Sequence, residues 1–224
     1  MEDLSGRMTN DVDFSKGYSV DVVKRIIRSI VGYQSAQLSA EKKFAVSDKT
    51  VVHEALKSMA VHCIGALAEK EWLPKDGDKR RDLLSFISSV EKLQDEYPDF
   101  AKSLPLTHCN LWPNNMLFEK IKDNPDGELL AIVDWQCASI GNALLDVSSA
   151  IGVCLSPENR REHEEELVEF YRTEMENRKD RFTENTDFDK DPVFKMYRES
   201  LKWAALQLVF TAVFNPSADQ PEEG

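Results

Sequence analysis

The sequence has few cysteines, and their positions exclude two kinds of site. Cys63, Cys109, Cys137 and Cys154 are scattered without the paired spacing of a zinc site or of a disulfide framework. The four histidines show no ligand spacing either. We therefore predict reduced thiols and a cytoplasmic protein.

Long apolar runs are lacking as well. The longest, around residues 204–214, has about half of the ~20 residues that a membrane-spanning helix needs. The first residues, Met-Glu-Asp-Leu-Ser, are acidic and lack the apolar stretch of a signal peptide. The sequence thus predicts neither a membrane span nor a secretory leader.

Basic residues are in the minority. The chain has 28 Lys and Arg residues against 40 Asp and Glu residues, a net charge of −12, and no Lys/Arg stripe. Such a chain repels phosphate backbones and anionic lipid surfaces. We therefore expect neither nucleic acid nor a membrane among its partners.

Most of the sequence has the periodicity of amphipathic helices. The first helix follows Ser19, a suitable N-cap, and places Val23, Ile26 and Ile30 on one face. Ser156 and Pro157 mark another helix start, because Pro is favoured at the first helical position. Helices are predicted over about 19–38, 49–72, 81–97 and 144–155, from 156 to a charged loop at 178–191, and over 192–214.

The two ends lack this periodicity. Residues 1–17 are polar and are predicted to form an extended or looped lead-in, and residues 215–224 to form a disordered tail. No linker divides the chain, so residues 18–214 are predicted to be one domain. The predicted fold class is mostly α with a small β-hairpin (α+β).

The hairpin carries the polar residues that suggest chemistry. Strands are predicted at 116–120 and 129–135, joined by a turn rich in Asn, Pro, Asp and Gly. A polar cluster precedes the first strand, and Asp134 ends the apolar run of the second. The cluster consists of His108, Asn110, Asn114 and Asn115. A hairpin would bring Asn115 beside Asp134, and oxygens of this kind suit a magnesium–phosphate site.

The wording of this segment resembles a known family. His-Cys-Asn-Leu-Trp-Pro-Asn-Asn, a strand, and then Ile-Val-Asp-Trp-Gln are similar to the CHK kinase-like family. These are the ecdysteroid-kinase-like relatives of choline kinases and aminoglycoside phosphotransferases. The resemblance covers residues 1–178 and is strongest over 106–147. It implies transfer of the ATP γ-phosphoryl group to a small-molecule hydroxyl, with Mg²⁺.

The resemblance also implies a role for individual residues. Asn110 occupies the position of the catalytic Asp, and His108 has a structural role in the catalytic loop. Asn115 and Asp134 are the implied metal ligands. Asp146 is the implied structural support, which accepts backbone N–H groups of the catalytic loop.

The resemblance further implies that the chain is only the large, C-terminal lobe of a kinase-like fold. Its first residues, Glu2, Asp3 and Leu4, resemble the hinge that meets adenine through its backbone. No two of the nine glycines have the G-x-G spacing of a phosphate flap, and no β-rich segment before the first helix offers a Lys. The small lobe is therefore expected to be absent from this sequence.

Two departures from the family bear on activity. A neutral amide at Asn110 cannot accept a proton as a carboxylate does, and Cys109 stands where the family has Gly. We expect activity to be absent or very weak. Two alternatives stay open. One is a non-catalytic pseudokinase module that binds a protein partner or itself through the exposed lobe interface, and the other is a fragment of a longer kinase-like protein.

Overall fold

A computed structural model describes residues 8–9, 17–36, 47–48, 58, 77–89, 106–119, 127–140, 143–181 and 188–214. Its helices are α1 (Val20–Gln34), α2 (Gly77–Ser89), α3 (Leu144–Cys154), α4 (Pro157–Glu176) and α5 (Lys190–Phe214). Its strands are β1 (Met8–Thr9), β2 (Ser47–Asp48), β3 (Leu106–Thr107), β4 (Met116–Glu119), β5 (Leu129–Ile132) and β6 (Ser139–Ile140). Short 3₁₀ turns lie at Pro113–Asn115, Trp135–Cys137 and Lys179–Arg181.

The chain forms two compact units. The first contains Met1–Ser47 and Tyr97–Ala204, and the second contains Asp48–Glu96 and Ala205–Gly224. The first unit holds the hairpin and all the polar positions singled out above that the structure describes. Within the second unit, the described elements are α2 and the last turns of α5.

Helix α1 is the centre of the first unit. The Ser19 hydroxyl caps it by accepting the N–H of Val22 at 3.3 Å. Its apolar residues recur with helical spacing and are fully buried; they are Val22, Val23, Ile26, Ile27, Ile30 and Val31. The predicted start and inner face of this helix are confirmed, but it ends at Gln34, before the predicted Leu38.

Helices α3 and α4 pack on α1. Almost every residue of α3 is buried, as its apolar sequence predicts. The Ser156 hydroxyl caps α4 by accepting the N–H of Asn159 at 3.2 Å, with Pro157 at the first position, as predicted. Leu167, Tyr171 and Met175 give α4 its buried face. Lys24 Nζ pairs with Glu166 Oε1 at 2.5 Å on the outside of the α1–α4 contact.

The predicted hairpin is the pair β4 and β5. The strands are antiparallel, with Met116 opposite Ile132 and an irregularity between Leu117 and Phe118. Strand β1 adds to the other side of β4, with Thr9 opposite Phe118, so this sheet has the order β1-β4-β5. Elsewhere, β3 pairs antiparallel with β6. The predicted fold class, mostly α with a small β component, is confirmed, although more strands form than one hairpin supplies.

Several predicted boundaries were wrong. Strand β5 ends at Ile132, and Trp135 lies in a 3₁₀ turn because Asp134 has a left-handed backbone that ends the strand. Helix α2 begins at Gly77 and α5 at Lys190, each earlier than predicted. A 3₁₀ turn interrupts the predicted charged loop. The helix predicted over 49–72 lies outside the described residues apart from Ser58, as does the tail.

Gly17 lies very close to the backbone of the α3–α4 junction. Its φ is +66°, and a Cβ built there would lie 2.7 Å from Ser156 N and 2.9 Å from Cys154 O. The next residue, Tyr18, donates its N–H to Cys154 O at 2.6 Å. Only glycine suits both the left-handed backbone and this contact with the α3–α4 junction.

No helix in the described ranges is long and apolar enough to cross a membrane.

Candidate catalytic-loop and metal site

The buried carboxylate of Asp146 holds the loop that follows β3. Its Oδ2 accepts the N–H of His108 at 2.7 Å and its Oδ1 accepts the N–H of Cys109 at 3.0 Å. The hydroxyl of Tyr33, from the last turn of α1, donates to Oδ2 at 2.5 Å. Burial raises the pKa of Asp146, and the three donors oppose that rise. Asp146 thus fixes the loop backbone and is itself fully buried.

His108 is held in one tautomer by its neighbours. Its Nδ1 accepts the N–H of Asn110 at 3.2 Å, so Nε2 carries the proton and donates to the carbonyl of Val133 at 2.9 Å. The imidazole is fully buried. Both nitrogens are used in tying the loop to the chain after β5. His108 is therefore a structural member of the loop and has no nitrogen left for acid or base chemistry.

Cys109 adopts a backbone conformation that favours glycine. Its φ is +61°, and its side chain is 4% exposed with Sγ 3.1 Å from the hydroxyl of Ser139. Burial raises the pKa of the Cys109 thiol, so the thiol stays protonated at neutral pH. The left-handed turn allows two successive N–H groups to face Asp146, which explains why a bare backbone suits this position.

Substitutions at Cys109 should reveal this strain. We expect Cys109→Val to be less stable than Cys109→Gly by about 2 kcal/mol, because a β-branched side chain is strained at positive φ and overfills a buried position. Urea unfolding of both variants by circular dichroism measures the difference. Equal stabilities would contradict a left-handed Cys109.

Three aromatic rings link the loop that carries His108 to the turn that carries Asp134. The ring of Trp135 meets that of His108 edge-on, with centroids 4.6 Å apart, and that of Tyr33 at 5.0 Å. Its indole N–H donates to the carbonyl of Ile132 at 2.8 Å. Since Trp135 directly follows Asp134, this packing fixes the chain on which the carboxylate is carried.

A second buried contact anchors the start of α3. Gln34 donates from Nε2 to the carbonyl of Ala143 at 2.9 Å and accepts the Tyr171 hydroxyl at 2.7 Å on its Oε1. Burial, with a smaller contribution from Asp146, raises the pKa of Tyr171 and keeps its hydroxyl protonated as a donor. The end of α1 therefore positions both the loop and the helix that carries Asp146.

The structure brings Asn115 and Asp134 together, as the hairpin prediction requires. Asn115 ends a 3₁₀ turn just before β4, and its backbone carbonyl accepts the N–H of Val133 at 2.9 Å. Its Nδ2 donates to the carbonyl of Asn110 at 2.8 Å and lies 3.4 Å from Asp134 Oδ2. Asn115 is 7% exposed, whereas Asp134 is exposed.

Asp134 has the second left-handed backbone among the described non-glycine residues, with φ +64° and ψ +56°. Asp tolerates this region better than most residues, at a cost of about 1–2 kcal/mol. It begins a 3₁₀ turn without capping that turn through its side chain. The turn instead aims the carboxylate toward Asn110 and Asn115.

Asn110 completes the group from the other side. Its Nδ2 donates to Asp134 Oδ2 at 2.7 Å, a short bond from an amide to a charged carboxylate. Its backbone N–H and carbonyl are used separately, toward His108 Nδ1 and Asn115 Nδ2. One carboxylate and two amides thus form a contiguous polar group at the end of the hairpin.

The chemistry of this group fits a hard cation in part. Within the part of the chain that the structure describes, Oδ1 of Asp134 and Oδ1 of Asn115 accept no hydrogen bond, and such oxygens are what Mg²⁺ prefers. The described residues contain no cluster of three His, Cys, Asp or Glu side chains that could hold a metal. The protein ligands for Mg²⁺ would therefore be one carboxylate and one amide.

The sequence did not single out the supports of this site. Tyr33, Gln34 and Ser139 were not among the predicted site residues. A usable signal was present in α1, because Gln34 continues the apolar stripe of Ile27 and Ile30 at helical spacing, where an amide needs partners. The hinge-like positions Glu2, Asp3 and Leu4 lie outside the described residues.

A family model covers most of the chain. The family model described as DUF1679, uncharacterized oxidoreductase dhs-27, matches residues 16–222. No curated protein matches the chain. No solved structure matches it either.

Proposed function

We propose that this chain, which belongs to the DUF1679 family, is a kinase-like protein of the small-molecule phosphotransferase kind that binds Mg²⁺ and ATP but transfers phosphate slowly or not at all. DUF1679 stands among the CHK, ecdysteroid-kinase-like families. The proposed fold is the large lobe of a kinase-like protein, and the proposed acceptor is a small-molecule hydroxyl. A cytoplasmic location belongs to the same proposal.

The observation that carries this proposal is the juxtaposition of Asn110, Asn115 and Asp134. Three short segments of chain, the loop after β3, the 3₁₀ turn before β4 and the turn after β5, converge on these side chains. Asp146, His108 and Trp135 fix the loop after β3 and the turn after β5. The 3₁₀ turn is joined to both through Asn115, whose carbonyl accepts the N–H of Val133 and whose Nδ2 donates to the carbonyl of Asn110. Such a rigid polar group at a hairpin end is what positioning of a phosphate-bound cation requires.

Asp134 and Asn115 would hold the cation. When bound, Mg²⁺ would neutralise charge on the phosphates of ATP. The protein's own contribution is to keep the two oxygens in place, through the left-handed turn at Asp134 and the bond from Asn115 Nδ2 to a backbone carbonyl.

The same geometry explains why turnover should be low. A phosphoryl acceptor needs a group that takes its proton, and Asn110 offers only an amide whose N–H₂ faces Asp134. His108 cannot substitute, since both its nitrogens are occupied and it is fully buried. Cys109 is buried with a raised pKa. The described residues near Asp134 therefore include no ready base.

The description of the family names an oxidoreductase, and that word describes the protein it names. A G-x-G-x-x-G turn between a strand and a helix is the fingerprint of the common dinucleotide-binding fold. No two glycines in this sequence are spaced as G-x-G. The site residues support phosphate chemistry better than hydride transfer.

Two measurements on the purified chain check the proposal. We expect Mg²⁺ with ATP to raise the unfolding temperature of the wild type and to leave that of Asp134→Asn unchanged, because Asn keeps the left-handed turn and removes the charge. A coupled assay of ADP release, with a panel of amino-alcohol, aminoglycoside and steroid acceptors, should stay at background. Turnover by the wild type that disappears in Asp134→Asn would contradict the expected lack of activity. ATP binding that Asp134→Asn leaves unchanged would contradict the role of Asp134 in the site.

A second candidate is a binding module with no nucleotide. The bond from Asn110 to Asp134 favours it, because the carboxylate is already satisfied on one oxygen without a cation. Its partner would be another protein or a second copy of this chain. An unfolding temperature insensitive to Mg²⁺ and ATP, with association seen by analytical ultracentrifugation, would favour this candidate over the first.

A further inference from the structure

We propose that Asn110 is a lock on the cation site: its amide holds Asp134 Oδ2 in a cation-free state and lowers the affinity of the site for divalent cations. This inference rests on the proposed function, since it concerns the same site. It goes beyond the loss of a base at this position, because it assigns the amide an inhibitory contact of its own.

The orientation of the amide carries the inference. Asn110 Nδ2 lies 2.7 Å from Asp134 Oδ2, at the distance of a charge-assisted hydrogen bond. Asn115 Nδ2 approaches the same oxygen at 3.4 Å. Two amide donors thus converge on one carboxylate oxygen, and their N–H groups stand where a cation on that oxygen would need open space.

The second amide cannot easily turn away. Asn115 Nδ2 also donates to the backbone carbonyl of Asn110 at 2.8 Å. A carbonyl oxygen can only accept a hydrogen bond, so a flipped Asn115 amide would place its own oxygen against it. With Oδ2 occupied, a cation finds only Oδ1 of Asp134 free, and a cation that binds both carboxylate oxygens must displace the Asn110 amide. The hydrogen bond that the cation breaks is exposed and contributes a modest free energy.

Removal of the Asn110 side chain alone is a clean test. The backbone N–H of Asn110 still donates to His108 Nδ1, and its carbonyl still accepts from Asn115. Asn110→Ala and Asn110→Leu, the latter close to Asn in shape, therefore remove the lock and keep the loop. Asn114, exposed in the 3₁₀ turn that follows this loop, offers a matched control as Asn114→Ala.

The probe is Mn²⁺ alone. Its binding is measured by the enhanced relaxation of water protons and by the rise in the unfolding temperature of each variant. We expect Asn110→Ala and Asn110→Leu to bind Mn²⁺ about three- to tenfold more tightly than the wild type and Asn114→Ala. Asn110→Asp, which adds a carboxylate, should gain at least about tenfold. Asp134→Asn in combination with each should remove the gain.

The outcomes separate the lock from the site. Weaker or unchanged binding by Asn110→Ala and Asn110→Leu, with binding still dependent on Asp134, would overturn the lock and leave the cation site standing with Asn110 as a ligand or bystander. No Mn²⁺ binding in any variant, Asn110→Asp included, would overturn the cation site and the lock with it. Circular dichroism of each variant verifies that the fold is kept.

Discussion

Asp146→Asn is expected to lower the free energy of unfolding by at least about 3 kcal/mol, although the two side chains have nearly the same shape. The carboxylate accepts three donors, from Tyr33, His108 and Cys109. An asparagine has one oxygen, so its N–H₂ must face a backbone N–H of either His108 or Cys109 in a fully buried position. Urea unfolding followed by circular dichroism measures the loss.

Tyr33→Phe is the matched control for this prediction. It removes only the hydroxyl donor and keeps the ring beside Trp135. We expect a loss of about 1.5 kcal/mol. Similar losses in the two variants would mean that the backbone donors contribute little, and the loop would not depend on Asp146 as described. The rise in unfolding temperature with Mg²⁺ and ATP should be reduced more in Asp146→Asn than in Tyr33→Phe.

Gly17→Ala is expected to destabilise the first unit by about 3 kcal/mol or more. A left-handed backbone costs a non-glycine residue about 1–2 kcal/mol. The added Cβ would also lie under 3.0 Å from three backbone atoms of the α3–α4 junction, which are the N of Ser156, the O of Cys154 and the C of Leu155. Displacing a packed backbone costs about 1–3 kcal/mol more. The same urea experiment measures it.

Gly32→Ala is the matched control on the neighbouring helix. Gly32 lies inside α1, is exposed, and a Cβ there would meet nothing within 4 Å. We expect a gain of about 0.5–1 kcal/mol, because Ala favours the helix. The two glycine variants should therefore shift in opposite directions. A Gly17→Ala protein as stable as the wild type would show that Gly17 does not lie against the α3–α4 junction as described.

The helices of the first unit were predictable because local signals agree with the packing. Ser19 and Ser156 are good N-caps, and the apolar residues that follow each have helical spacing. The pairing of Asn115 with Asp134 also followed from the sequence, since a hairpin of two apolar strands leaves little choice of neighbours.

The strands outside the hairpin were not predictable from pattern. Strands β1, β3 and β6 have two residues each, too short for any alternation to show. The end of β5 depends on the left-handed backbone of Asp134, and a sequence does not display φ. The Tyr33 contact with Asp146 joins residues 113 positions apart, which only the tertiary fold creates.

That separation has a consequence for how the chain folds. The bonds that fix the site link α1 to residues more than a hundred positions later: Tyr33 to Asp146, Gln34 to Ala143, and Gln34 to Tyr171. Closing such long loops costs entropy that local helix formation does not. The helices of this unit can therefore form early, while the loop that carries Asn110 acquires its shape only after α1 has docked. On a ribosome, these three bonds cannot all be present until residue 171 has emerged.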